Sequence, residues 1–350
     1  VLVLVAGAGC PLPPESPQPS STALRLVVAE RGPAGGRLVV VHEDGKRGST
    51  LVPPSGETVR DVSPAFSPDG QWIAFASSRG RPFEETSVWI TRARAGAEPI
   101  QLTTGPAVDL WPVWTPEGDA LVFASTRDGD LDLWRLAVRL DGDTAAAVGE
   151  PERLTDLAGE EAAPAVGPDG RIAFAHIAHD DAGTRSRIAV RARDGAITYL
   201  TEGPADTSPA WTPDGARVVF AAPHVRSAEP PRVDGDLWAV DAGGGAPELI
   251  LDVDVTDESG PAWSRDGRWL FASSLFRGAD GEARFAAVIY RDTAQAVDMA
   301  RMLVDPAGAV PRLSVAVGPG PLDARALLRG PRYADELAAI LRRALDDAAP

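Results

Sequence analysis

"SPAFSPDG", residues 63–70, is written five times in this chain with small changes. It returns as "WPVWTPEG" at 111–118, "APAVGPDG" at 163–170, "SPAWTPDG" at 208–215 and "GPAWSRDG" at 260–267. The prolines that open the copies, Pro64, Pro112, Pro164, Pro209 and Pro261, stand 45–52 residues apart. That step is too long for a helical heptad and too regular for chance. Repeats of about 40–50 residues, each carrying several short strands, mark a propeller or a similar array.

Each unit reads as four strands. The first is the short apolar run that ends at Pro-Asp-Gly, a tripeptide suited to a tight turn. Proline presets φ there, the Asp carboxylate caps the turn, and glycine accepts positive φ. The second strand is "QWIAFASS", "DALVFAST", "RIAFAH", "ARVVFAA" or "RWLFASS", and the third "SVWI", "LDLWRL", "RIAV", "DLWAV" or "AAVIY". The fourth is "IQLTTG", "ERLTDL", "TYLTEG" and, more loosely, "ELILDV". Four strands per unit make one propeller blade. No long apolar period of 3.6 residues runs between Ala23 and Arg312, which fits an all-β domain.

These residues resemble the TolB-type, WD-like propeller repeat, in which Pro-x-Trp-Ser-Pro-Asp-Gly starts a blade and Leu-Thr ends it. The copy at 163–170 departs from that pattern, with Val166 and Gly167 in place of Trp and Ser, and the last copy has Arg265 for proline. Ahead of the first full copy stand "LRLVVAE", "RLVVVHE" and "STLV", a blade lacking its first strand. After the last comes "SVAVGPG" at 314–320, an echo of "APAVGPDG". The expectation is a six-bladed β-propeller over 23–320, closed by pairing of its N- and C-terminal strands. Residues 321–350 are then a helical extension, with Leu337, Ile340, Leu341 and Leu345 on one face.

The chain opens "VLVLVAGAGC" and continues into a Pro/Ser-rich segment, 10–22. An apolar run, small residues, Cys10 and such a spacer resemble the end of a bacterial lipoprotein signal peptide, although Gly7 stands where that family usually has leucine. The resemblance implies that 1–9 is a signal remnant, that Cys10 is lipidated, and that the protein is periplasmic or outer-membrane-associated. Cys10 is the single cysteine, so the domain forms no internal disulfide. A net charge of −16 over 350 residues argues against nucleic acid and against an anionic membrane surface. Any membrane contact would then run through the lipid.

Chemistry is sparse. There is no G-x-S-x-G elbow. All nine tryptophans fall at repeat positions, where filling the space between blades is their expected work. "HIAHDD" at 176–181 offers His176 and His179 as weak metal candidates; three apart on a strand, they converge only if the chain turns between them. "DGDLDLW" at 128–134 and "DGDLW" at 234–238 read as turns before a third strand.

One feature repeats without an evident packing need. An acid stands three residues before each anchor proline: Asp61, Asp109, Glu161, Asp206 and Glu258. Either each carboxylate ties neighbouring blades, with Arg79 or Arg127 as partner, or the five form a ring at the channel mouth that draws in a basic segment. The functional expectation is a non-catalytic envelope propeller that binds another envelope protein and needs no cofactor, as its resemblance implies. The alternative is a metal-dependent carbohydrate lyase, or a carbohydrate or small-ligand sensor, on the same fold.

Overall fold

In a computed structural model of the protein, the residues described are 26–32, 35–41, 47–53, 59–82, 84–181, 183–228, 231–251, 256–263, 269–277, 283–291, 301–302 and 313–317. Cys10, the 10–22 linker and the helix expected within 321–350 lie outside them. The fold is an all-β propeller, with no helix among the described residues. Its strands form six four-stranded antiparallel sheets, five of which run in simple sequence order. The second holds strands within 61–101, the third 109–153, the fourth 160–199, the fifth 207–251 and the sixth 256–302. In the first, Leu313–Val317 lies against Leu26–Gly32, with Leu26 opposite Val317 and Glu30 opposite Leu313.

The innermost strands touch in succession. Asp61–Phe66 meets Asp109–Trp114, which meets Glu160–Val166, then Thr207–Trp211 and Thr256–Trp263. Leu313–Val317 touches both Thr256–Trp263 and Asp61–Phe66. Hydrophobic cores sit between consecutive sheets rather than inside them. Val27, Leu38 and Leu51 pack with Ile73 and Phe75; Trp72 and Val88 with Trp114 and Phe123; Val122 and Leu133 with Phe174. Ile188 and Leu200 pack with Trp211 and Phe220, and Leu237 and Leu251 with Leu270 and Ala272. In the second, third and fourth sheets the second strand is the most buried, because it has a neighbour on either side and a sheet against both faces. Phe75, Phe123, Phe174, Phe220 and Phe271 occupy one equivalent position there, and all are fully buried. Each such burial contributes about 1.5–3 kcal/mol.

The repeated octapeptide has two structural jobs. Its turn is closed by its own side chains: Ser67 Oγ donates to Asp69 Oδ1 at 2.6 Å and accepts from the Trp72 amide at 2.9 Å. Thr212 and Asp214 repeat this arrangement. The residue before the proline makes a β-bulge, and the register slips there in all five copies. Ser63, Trp111, Ala163 and Ser208 take φ of 54°, 50°, 50° and 52°, and Gly260 takes 58°. Left-handed backbone is costly for a side-chain-bearing residue, so the surrounding sheets impose it.

The third sheet departs from the sequence reading. Its fourth strand is not "ERLTDL" but Thr144–Arg153, ten residues that start before it. The run "TAAAVGEP" lacks the apolar alternation that signals a strand, and it is ordered as the second arm of a long hairpin with Asp130–Asp141. Outer strands of the other sheets hold two to four residues, as in Ile100–Gln101 and Glu248–Leu251.

Candidate functional site: acid-bearing joints between the sheets

All five repeated acids are buried, with exposures of 0–5%. Each stands at or near the start of an innermost strand, and at Asp109 and Asp206 the backbone is pinned to the preceding sheet. The Asp109 amide donates to Thr86 O at 3.0 Å, and that of Asp206 to Ser186 O at 3.1 Å. The hydroxyls of Thr86 and Ser186 donate back to the carbonyls of Asp109 and Asp206, both at 2.6 Å.

The side chains then differ. Asp109 accepts from Thr103 Oγ1 of the preceding sheet at 2.5 Å, and from Ser125 Oγ and Arg127 Nη2 of its own at 2.6 and 2.8 Å. Asp61 accepts from Ser77 Oγ at 2.6 Å and from the Arg79 guanidinium at 2.7 and 3.2 Å. Arg79 also donates to Pro53 O, beyond the first sheet's last strand. Asp109 therefore ties two sheets directly through Thr103 and Asp61 does so through Arg79, while both arginines belong to the acid's own sheet rather than to a facing one. Asp206 has no cation: Thr201 Oγ1 and the Gly203 amide serve it, and burial raises its pKa.

Glu161 is the exception. Its cross-strand neighbour is His176, where Asp61 and Asp109 face Ser77 and Ser125. Neither carboxyl oxygen has a hydrogen-bond partner, nor has Oδ1 of Asp132, which is also fully buried. The cation at this joint, Arg153, is bound to Asp132 at 2.7 Å, Asp156 at 2.8 Å and Asp128 at 3.0 Å. Burial first, and then the Asp132 charge, push the Glu161 pKa up to about 8, with Thr155 and Arg153 opposing. At neutral pH Glu161 keeps its proton. Asp132 is thus a joint residue rather than part of a turn; the turn belongs to Asp128–Asp130, where Gly129 has φ of 112°.

His176 and His179 are not brought together. Both lie on one unbroken strand, Ile172–Asp180, so their side chains leave opposite faces. His176 is buried, donates from Nε2 to Ala158 O at 3.1 Å and accepts from Tyr199 at Nδ1, 2.7 Å. Burial lowers its pKa, so it is neutral although it lies 4.0 Å from Glu161. His179 is exposed and bonded to Thr184. Among the described residues no three His, Cys, Asp or Glu side chains are grouped to hold a metal ion.

The tryptophans hold sheets together by hydrogen bonds as well as area. Trp114 Nε1 donates to Ala65 O at 3.2 Å, and Trp211 Nε1 to Ala165 O at 3.0 Å, each one sheet back. Sequence reasoning missed Thr103, Thr155 and Thr201, which accept the amides of Val88, Leu133 and Ile188, Thr103 and Thr201 also serving the next acid. Their signal was present: the Leu-Thr that ends a unit stands five or six residues before the acid that opens the next.

Known proteins share this fold. Residues 55–266 match the family model described as TolB beta propeller domain. An uncharacterized protein of Agrobacterium fabrum, Atu1656, is 24% identical over 60% of this chain and 68% of its own length. The Tol-Pal system protein TolB of Francisella tularensis is 29% identical over 50% of this chain, which spans only 39% of that relative. The crystal structure of TolB from Acinetobacter baumannii superposes with a TM-score of 0.62 at 18% identity, covering 86% of this chain and 68% of that one. With more than half its length matched by the model, the chain belongs to the TolB β-propeller domain family.

Proposed function

We propose that this protein is a non-catalytic propeller of the bacterial envelope that binds another envelope protein at the face where its acid-bearing strands begin. In this reading the six sheets are the blades of one ring, closed by Leu313–Val317, and Cys10 anchors the ring through lipid and the Pro/Ser spacer. The succession of touching innermost strands supports the ring, and the membership of the TolB family supports the binding role. The observation that carries the reading is how the conspicuous polar groups are used. Asp61, Asp109 and Asp206 are turned into the joints and bonded there, so they serve a rigid frame. Such a frame displays a surface; it does not ready these carboxylates for acid–base work. What it displays at the innermost strands are the half-buried bulge residues Ser63, Trp111, Ala163 and Ser208. Docking by a basic segment is retained only as a secondary role for the acids.

A photoreactive residue in place of Trp111, in cells making the chain with its secretion signal, tests the reading. A discrete protein adduct at this position, and none from the exposed turn residue Asp194, is expected. Adducts from Asp194 alone would refute docking at this face.

A further inference from the structure

The outer strand of the third sheet is the anomaly of this propeller. Ten residues, Thr144–Arg153, form an edge with no strand among the described residues on its far side. Long exposed edges template further pairing, and proteins normally shorten or guard them. Here the guards begin only at Gly149, with φ of 75°, and Pro151. Ahead of them, Thr144–Val148 pairs without a break to Ala137–Asp141, and these five residues carry no charge and no proline. Val148 is 48% exposed, one of three exposed large hydrophobic residues among those described. The hairpin is not loose. Leu140 and Ala145 pack on the core between the second and third sheets, and Asp143 at its tip pairs with Arg92 and Arg94 of the second sheet.

The two-residue turn Gly142–Asp143 fixes which groups are free. In such a hairpin the flanking residues, Asp141 and Thr144, exchange hydrogen bonds, and bonded pairs then alternate. Thr144, Ala146 and Val148 therefore bond inward. Ala145 and Ala147 turn their N–H and C=O groups to the open side.

We propose that this edge takes an additional β-strand from another protein, an extended segment with an uncharged centre and basic residues at both ends. Backbone pairing at Ala145 and Ala147 would give affinity, and the small side chains let a strand approach. Charge selects its ends, since the free stretch is bracketed by exposed Asp141 on one side and Glu150 and Glu152 on the other, Asp143 being paired already. The same bracket disfavours a second copy of this chain. Antiparallel self-pairing about Ala146 would set Asp141 beside Glu150 and Glu152 of the copy, in a chain of net charge −16. This surface is on the outer rim, apart from the face named in the proposed function, so each stands or falls alone.

The test is backbone amide exchange on the full chain with the synthetic peptide Lys-Arg-Thr-Val-Thr-Val-Thr-Arg-Lys. At saturation, exchange of Ala145 and Ala147 should slow tenfold or more, and a version with glutamates at both ends should bind at least tenfold more weakly. Ala147→Pro removes only an outward N–H, as tolerated on edge strands, and should weaken binding tenfold at unchanged melting temperature. Ala147→Lys, which keeps the backbone and repels basic ends, should weaken it too. Unslowed amides, or equal binding by both variants, would overturn the proposal. So would a dimer of the chain in sedimentation that Ala147→Lys dissociates, which would put a second copy on the edge.

Discussion

Three substitutions at one repeat position should have three different costs. Asp109→Asn replaces a carboxylate oxygen by an N–H₂ group facing hydroxyls that have no other acceptor. Thr103 Oγ1 already accepts the Val88 amide, and Ser125 Oγ already accepts from Arg127. The change also strips the counter-charge from Arg127. Breaking a buried pair costs about 3–5 kcal/mol, and Arg127 is exposed enough for water to recover part of that. The expected loss is about 3 kcal/mol, a fall in Tm of about 4 °C. Asp206→Asn leaves no cation behind and should cost about 1 kcal/mol. Glu161→Gln mimics the protonated acid, so it should be near zero below pH 4.5 and already stabilising at pH 7, where only the unfolded Glu161 has lost its proton. The pH dependence separates it further. With its folded pKa at about 8 against 4.5 unfolded, Glu161 makes the folded state hold the extra proton between those values. Wild-type stability from this group is therefore greatest below pH 4.5, falls as pH rises through the window at up to about 1.4 kcal/mol per unit, and levels off above 8. Glu161→Gln should remove that fall, so that the variant draws ahead of wild type as pH rises above 4.5 and holds its full lead above pH 8. Calorimetry of the three variants between pH 5 and 9 is the measurement. Equal losses, or parallel pH profiles for wild type and Glu161→Gln, would refute the assignment of cost to partners rather than to position.

Phe174→Ala should cost about 3–5 kcal/mol, read as a lower denaturant midpoint, because Phe174 is fully buried between the third and fourth sheets. The bulge position offers a reciprocal pair: Gly260→Ala should lose about 1 kcal/mol with no contact within 4 Å to blame, while Ala163→Gly should be neutral or slightly stabilising in the same melts. Cys10→Ser, expressed with an intact signal, should move the protein from the membrane to the soluble fraction; unchanged partitioning would remove the lipid anchor.

The sheets were legible because each strand carries its own signal, in the Pro-Asp-Gly turns and the apolar seconds such as "WIAFAS". What stayed hidden depends on pairing between strands. Nothing local to Glu161 tells it from Asp109; the difference is that its partner across the ladder is His176 rather than Ser125. Asp132 looked like a turn residue because it follows Asp128 and Asp130, and only the register opposite Ser125 buries it. The long outer strand of the third sheet was misplaced because an alanine run has no alternation to read. Its order comes from the hairpin it completes.

The left-handed residue before each anchor proline bears on how such a chain can be assembled. Serine, tryptophan, alanine and glycine all occupy that place, so no local preference writes the conformation. Proline makes it harder still, since the residue before a proline is restricted toward extended backbone. Only completed neighbours can hold it. A lone unit cut from the chain would relax its bulge and lose the alignment of its acid with the next sheet. The units are modular as text and interdependent as matter, so a fragment of one or two of them should remain unfolded where the whole chain is native.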